Sequence, residues 1–72
     1  MSAPASALSV KATAAALHFH ERVLRDWCKR GHVRAVRHDD SDRWWIPAPE
    51  VERIARLLMT TPDWDAAAEV DL

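Results

Sequence analysis

The sequence has little of what several large classes of protein require. Its 72 residues include one cysteine, one glycine and no tyrosine. The lone Cys28 excludes an internal disulfide framework and fits a reducing compartment. No apolar run reaches the roughly 18 residues of a membrane-spanning helix, and the N-terminus lacks the basic-then-apolar order of a signal peptide. We therefore expect a cytoplasmic chain with no membrane partner.

The chain also lacks the features of an enzyme or a metalloprotein. Domains of this size bury only about 60% of the surface that the unfolded chain exposes, which leaves little room for a catalytic cleft. There is no glycine-rich phosphate loop and no supported Ser/His/Asp arrangement. The four histidines and Cys28 lack zinc-finger spacing, and the Asp-rich residues 38–42 lack the glycine and distal glutamate of a calcium loop. We expect no catalytic residue, no metal and no cofactor.

The small formal charge of −1 averages over segments of opposite sign. Residues 11–56 hold all ten lysines and arginines with seven acids, whereas residues 57–72 hold four acids and no base. Residues 18–38 alone carry a net charge of +4 and all four histidines. Such a basic stretch is typical of a phosphate-binding surface. The alternative is an ordinary solvated helix face with i,i+4 ion pairs.

The first part of the chain predicts a tail followed by a short helix. Residues 1–7 are small and polar, which is typical of a disordered terminus. Ser9 is a candidate N-cap for a helix at Val10–Leu17, with Leu8 packing from outside the cap. Residues 18–20 break the helical spacing, so we expect a tight turn there.

A second helix is predicted at Glu21–Arg30. It carries apolar residues at i, i+3 and i+4 that should form one buried stripe, namely Leu24, Trp27 and Cys28. A cysteine buried in this way acts as a small apolar side chain rather than as a nucleophile. Gly31 follows at a position where the end of a helix needs a positive φ.

The apolar spacing then changes to a period of two, which predicts a β-hairpin. Residues 32–38 and 43–46 are the predicted strands, and Asp-Asp-Ser-Asp between them is typical of a turn. In the second strand Trp44 and Ile46 share the face that should be buried. Trp45 should therefore face outward.

The last third of the sequence predicts a helix and an acidic tail. The third helix has Pro49 and Glu50 in its first turn, where a proline and an acid are both favoured, and it is predicted to continue through Met59. Residues 60–72 form the acidic tail, in which 63–69 is a candidate short helix anchored by Trp64. Either Trp64 folds back on the third helix, or it binds a partner such as a recombinase or a second protomer.

The predicted order of helix, turn, helix, hairpin and helix is that of a helix-turn-helix with a β-wing. The stretch AALHFHERVLRDWCKRGHVRAVRHDDSDRWWIP resembles the MerR-like winged-helix domains of small phage excisionases and AlpA-type regulators. The residues on the family's pattern are Leu17, Phe19, Leu24, Trp27, Gly31, Arg37, Arg43, Trp44, Ile46 and Pro47. The resemblance implies a mainly α fold with a small β-hairpin wing, a winged helix-turn-helix (α-α-β-β-α) over residues 8–59.

The sequence departs from the family's pattern at the turn and at the wing tip. His18 stands where the family has a turn glycine, and His20 stands where it has a capping serine. The wing tip carries Asp39, Asp40 and Asp42, where the family favours glycine and basic residues. Carboxylates at this place would repel a phosphate backbone.

The resemblance implies a sequence-specific protein that binds double-stranded DNA. An excisionase, or recombination directionality factor, bends DNA cooperatively and assists a tyrosine- or serine-type integrase in excising a phage or mobile element. A transcription regulator of such an element is the alternative in the same class. A single winged domain has too small a footprint for high specificity, so we expect self-association on DNA. The implied protein is cytoplasmic, bacterial or phage-encoded, and located on DNA.

The acidic segments and the four tryptophans favour a third hypothesis, from another class. In it, the helix-turn-helix scaffold is an adaptor that binds protein and not DNA. The salt dependence of binding separates the two classes, because each phosphate contact of a DNA-binding protein steepens it.

The DNA-binding candidates on the second helix are its exposed polar residues, since the N-terminal half of this helix enters the major groove in such folds. Arg22 and Arg25 are the candidate base readers, because an arginine fork donates two hydrogen bonds to guanine. The alternative is an ion pair with a neighbouring acid, Glu21 or Asp26.

The remaining DNA-binding candidates flank these two arginines. His20 and Lys29 suit phosphate contacts. The Glu21 carboxylate could accept a hydrogen bond from cytosine N4; the alternative is that it only stabilises the helix dipole. The candidates on the wing are Arg34, Arg37, Arg43 and Trp45. The wing arginines suit phosphates or the minor groove, with pairing to the wing aspartates as the alternative. Trp45 suits a sugar–phosphate edge, a neighbouring protomer or the stem of an arginine.

Overall fold

The computed structural model describes residues 7–37 and 43–70, which form four helices and a three-stranded antiparallel sheet. No helix in these two ranges is long and apolar enough to cross a membrane. The elements in chain order are β1 (Ala7–Ser9), α1 (Val10–Leu17), α2 (Glu21–Arg30), β2 (Val36–Arg37), β3 (Trp44–Pro47), α3 (Ala48–Leu57) and α4 (Trp64–Val70).

The bounds of α1 and α2 are as predicted, and local contacts explain them. The Ser9 hydroxyl caps α1 by accepting a hydrogen bond from the Ala12 N–H at 3.0 Å. His18 ends α1 in the left-handed region, with a φ of 51°. This backbone conformation costs a residue other than glycine about 1 kcal/mol. Gly31 ends α2 in the same region without that cost, at a φ of 79°.

The predicted first strand of the hairpin is wrong over most of its length. Within residues 32–37, which the structure describes, only Val36–Arg37 is a strand, because N–H groups before it bond elsewhere. The His32 N–H donates to the Trp27 carbonyl at 2.9 Å, and the Arg34 N–H donates to the Glu50 carboxylate at 2.8 Å. The predicted turn at 39–42 lies outside the described residues.

The sheet has a strand that the sequence pattern did not predict. Ala7, which the prediction placed in the tail, begins β1, while residues 1–6 lie outside the described part of the chain. β1 runs antiparallel to β3, with Leu8 opposite Ile46. β2 pairs with the other edge of β3, so the strand order is β1-β3-β2. A three-residue strand is too short to show a periodic signal.

The main core lies between β3 and the first three helices. Ile46 is fully buried, and Trp44, on the same face, packs against the core as predicted. Trp27 is only partly buried, although the stripe on α2 predicts burial for it. The buried members of the core are Val10, Ala14, Leu17, Leu24, Cys28, Val33, Ile46, Val51, Ile54 and Ala55. Burial raises the pKa of the Cys28 thiol to about 11, which keeps it protonated.

The end of α3 differs from the prediction by two residues. α3 ends at Leu57, because Leu58 is its C-cap and Met59 has a positive φ of 56°. The Thr60 N–H then donates to the Ala55 carbonyl at 2.9 Å. This bond satisfies one of the last carbonyl groups of the helix, which have no partner within the helix itself.

α4 packs against α1 through small side chains. Asp63 caps α4, since its carboxylate accepts from the Ala66 N–H at 3.1 Å, so the helix starts one residue later than predicted. The anchor is Ala67 and not Trp64. Ala67 is buried against two alanines of α1, Ala12 and Ala16. α4 lies on α1, and Trp64 is 41% exposed. The alternative in which Trp64 folds back on α3 stays a prediction.

Candidate nucleic-acid interface

The burial of α2 decides how its two candidate base readers are presented. Leu24 and Cys28 point into the core, which leaves Arg22 exposed and Arg25 half-buried. Arg22 has no ion pair or hydrogen bond with any residue in the described ranges. Arg25 Nη2 lies 2.5 Å from Glu21 Oε2, so the ion-pair alternative holds for Arg25 and not for Arg22.

The structure brings candidates from α2 and from the predicted wing to one place. A groove of about 270 Å³ lies between the start of α1, the first turns of α2 and the start of β3. We call it the basic groove, and its lining residues are Ser9, Val10, Lys11, Glu21, Arg25, Arg43, Trp44 and Trp45. Four of these, Glu21, Arg25, Arg43 and Trp45, are DNA-binding candidates from the sequence.

Lys11 belongs to the basic groove although no sequence pattern selected it. It is exposed in the first turn of α1 and has no ion pair with any residue that the structure describes. The signal in the sequence that could have identified Lys11 is its isolation from other charged residues. No other lysine, arginine or acidic residue precedes Glu21. Ten residues separate Lys11 from Glu21 in sequence, so only the packing of α1 beside α2 shows that they share a groove.

Trp45 is less exposed than the strand pattern predicts. It lies on the face of β3 opposite Ile46, as expected from the alternation of a strand, but it is half-buried. The reason is the strand order. β3 is the central strand, and Trp45 lies between Ser9 of β1 and Val36 of β2. Its ring therefore forms a wall of the basic groove instead of projecting into solvent.

The other wing candidates lie in two different environments. The guanidinium carbon of Arg37 lies 6.0 Å from the centre of the Trp44 ring, within the range of a cation–π contact. Arg34 is outside the basic groove and lines a separate cavity with Gly31, His32 and Arg53. Residues 38–42 of the wing tip are not described, so pairing of the wing arginines with its aspartates stays a prediction.

His20 and Lys29, the two residues predicted to contact phosphates, lie outside the basic groove. His20 is the N-cap residue of α2 and is exposed, but its side chain makes no capping hydrogen bond. Lys29 is exposed near the other end of α2. The helix rises about 12 Å between Glu21 and Lys29. The two side chains therefore mark the ends of the exposed face of α2.

Glu50 is a buried charge for which the sequence predicted only a place in the first turn of a helix. Its carboxylate accepts from Arg53 Nε at 2.7 Å, from Arg53 Nη2 at 2.5 Å and from the Arg34 backbone N–H at 2.8 Å. The hydrogen bonds from Arg53 lower the pKa of Glu50, and the backbone hydrogen bond adds to this effect against the opposing cost of burial. Glu50 thereby ties the segment that enters β2 to α3, which positions the base of the predicted wing.

The basic groove offers hydrogen-bond donors and the faces of aromatic rings to a ligand. Ammonium and guanidinium groups donate hydrogen bonds to phosphate or base edges, and tryptophan rings offer flat apolar contact. Within residues 7–37 and 43–70 there is no cluster of three side chains that could hold a metal ion. Comparison of the chain with family models, with curated proteins and with solved structures found no match.

Proposed function

We propose that this chain is a sequence-specific double-stranded-DNA-binding protein of the winged helix-turn-helix class. In this proposal α1, the turn 18–20 and α2 are the helix-turn-helix, and the antiparallel pair of β2 and β3 is the wing. The observation that carries the proposal is the basic groove. It joins side chains of α2 and of β3, two elements that such proteins use together on one duplex.

Arg22 is the principal base reader in this proposal. It is exposed near the start of α2, and no ion pair within the described residues has to break before it binds. Arg25 is the second reader. Both side chains of its ion pair with Glu21 are more than a third exposed, and surface pairs contribute only about 0–1 kcal/mol. Arg25 can therefore leave Glu21 and bind guanine at little cost in free energy.

The residues around the two readers hold the duplex without reading its sequence. Lys11 and Arg43 lie on different sides of the basic groove and suit phosphates of one DNA strand. The half-buried ring of Trp45 suits the apolar edge of a sugar between them. His20 and Lys29 extend the phosphate contacts along α2, and Arg37 extends them along the wing.

The role in excision rests on the resemblance to the small phage excisionases. Such a protein binds neighbouring sites in several copies, bends the DNA and assists an integrase. A transcription regulator of a phage or mobile element is the rival, and it would use the same contacts. An excision reaction reconstituted with the integrase encoded nearest to this chain separates them, because only an excisionase changes the yield of excised product.

The experiment that tests DNA binding is a mobility shift on duplexes from the protein's own genomic neighbourhood. We expect log affinity to fall linearly with log salt, with a slope of about −0.9 for each phosphate contact. Arg22→Ala should weaken binding to the specific duplex by about 1–3 kcal/mol and relax its preference over a scrambled duplex. Arg30→Ala is the matched control, because it removes an equal charge from an exposed position in the last turn of α2.

Two results would contradict the proposal. The first is absence of binding at low salt to every duplex from that neighbourhood. The second is an equal loss of affinity for Arg22→Ala and Arg30→Ala, which would mean that only net charge matters. Unfolding curves of both variants should match the wild type, since both side chains are exposed.

A protein-binding adaptor remains the candidate from another class. The observation that favours it is apolar surface at the end of α3, where Leu57 is 69% exposed and Met59 is 93% exposed. Large apolar side chains grouped on a surface are commonly part of an interface. An adaptor would bind its partner with little dependence on salt and would not shift any duplex.

A further inference from the structure

A second groove, lined mainly by apolar side chains, lies between the end of α2 and α3. It has a volume of about 270 Å³, and its main lining residues are Trp27, Ile54, Leu57 and Leu58. We call it the apolar groove. The partly buried Trp27, which the stripe on α2 predicts to be buried, forms one of its walls. A cleft of this kind, beside an exposed leucine, is suited to an aromatic anchor.

The apolar groove points away from the basic groove. Successive residues of an α-helix are about 100° apart, so Trp27 lies about 200° around α2 from Arg25. Arg25 lines the basic groove and Trp27 lines the apolar groove. A molecule in the apolar groove would therefore leave the basic groove open.

The chain itself carries an aromatic side chain of matching chemistry on α4. Trp64 is 41% exposed at the start of this helix. The exposed residues beside it on α4 include two acids, Asp65 and Glu69, and the helix has no basic residue. Arg56 precedes Leu57 of the apolar groove on α3, is exposed, and has no ion pair with any residue in the described ranges.

Trp64 cannot enter the apolar groove of its own chain while α4 keeps its place. The Asp63 N–H donates to the Ala16 carbonyl at 2.7 Å, and Ala67 is buried against Ala12 and Ala16. These contacts hold both the start and the middle of α4 on α1. Trp64 can therefore fill the apolar groove only of another molecule.

We propose that Trp64 of one copy of this chain inserts into the apolar groove of a second copy. The indole fills the space beside Trp27 and Leu57, and Asp65 of the inserted helix faces Arg56. The contact joins two surfaces that every copy carries, and it needs no DNA. It therefore stands or falls independently of the proposed function.

Sedimentation equilibrium of the full chain without DNA tests this contact. We expect the wild type to self-associate as its concentration rises. Trp64→Ala removes the anchor, and Leu57→Asp places a charge in the groove. Each should lower the association constant at least about tenfold, as for a central aromatic anchor. Val36→Ser, which changes an exposed apolar residue outside the groove, is the control and should associate like the wild type.

An equimolar mixture of the two weakened variants gives the sharpest result. Trp64→Ala retains an intact groove, and Leu57→Asp retains an intact Trp64, so the mixture should form a heterodimer that neither variant forms alone. This holds even if the substitution at position 64 loosens α4, because that variant contributes only its groove. A wild type that stays monomeric at every concentration, a Trp64→Ala variant that associates normally, or a mixture that stays monomeric would each overturn the proposal.

Discussion

Two Glu–Arg pairs on different helices of this protein have equally short contacts and very different surroundings. Glu21 and Arg25 pair on α2, and Glu50 and Arg53 pair on α3, each with a closest N–O distance of 2.5 Å. The Glu21 side chain is 37% exposed, whereas that of Glu50 is 9% exposed. A short N–O distance therefore does not show whether a pair is structural.

The difference lies in the second partner of the buried carboxylate. Glu50 also accepts the Arg34 N–H, sixteen residues away in sequence, whereas the bond between Glu21 and Arg25 stays within one helix. Breaking the pair on α2 exposes two groups that water already reaches. Breaking the pair on α3 disconnects the segment before β2 from α3. In our proposal, Arg25 can leave Glu21 to bind DNA, whereas Arg53 stays bound to Glu50.

The largest expected effect is on stability at Glu50. Glu50→Ala removes the acceptor of three hydrogen bonds and should lower the free energy of unfolding by about 2–3 kcal/mol. Glu21→Ala is the matched control and should cost less than about 1 kcal/mol, because its pair is exposed. Urea unfolding of both variants measures the difference. Equal losses would show that burial does not distinguish the two pairs.

Acid should selectively remove the contribution of Glu50 to the free energy of unfolding. The pKa of Glu50 is lowered from the ordinary value of 4.5, so its stabilisation is complete above that value and is lost as the pH falls through the folded pKa. The difference in unfolding free energy between wild type and Glu50→Ala should therefore shrink from about pH 7 to about pH 3. A difference that stays constant over this range would contradict the proposed role of the carboxylate.

The smallest expected effect concerns DNA binding at Glu21. Glu21→Gln removes a negative charge from the basic groove and releases Arg25, so affinity for the specific duplex should rise by less than about 1 kcal/mol. Glu52→Gln, on the exposed face of α3, is the control. A loss of affinity confined to duplexes with one particular base pair would instead support Glu21 as a reader of cytosine.

The parts of the fold that follow from neighbouring residues could be predicted from the sequence. The bounds of α1 and α2, the turn between them and the positive φ at Gly31 depend on caps and apolar spacing within a few residues. The burial of Ile46 and the packing of the partly buried Trp44 against the core follow from their parity on one strand. The start and end of α3 and α4 were each predicted to within two residues for the same reason.

The candidate site could be predicted only in part. Glu21, Arg25, Arg43 and Trp45 were selected by residue type and position, and the structure places all four on one groove. Lys11 was missed because its neighbours in space are distant in sequence. The predicted strand at 32–35 failed for a related reason, since the bond from the Arg34 N–H to Glu50 replaces a strand hydrogen bond.

The sequence by itself determined the local elements, because capping, turns and apolar periods act over one or two helical turns. Only the tertiary structure decided how those elements meet. β1 joins the sheet by pairing with β3, and α4 docks on α1 through alanines that carry too little apolar area to give a clear pattern. The same packing buries Glu50 and leaves Glu21 and Trp64 partly exposed. These outcomes depend on contacts between distant segments, which local residue patterns do not encode.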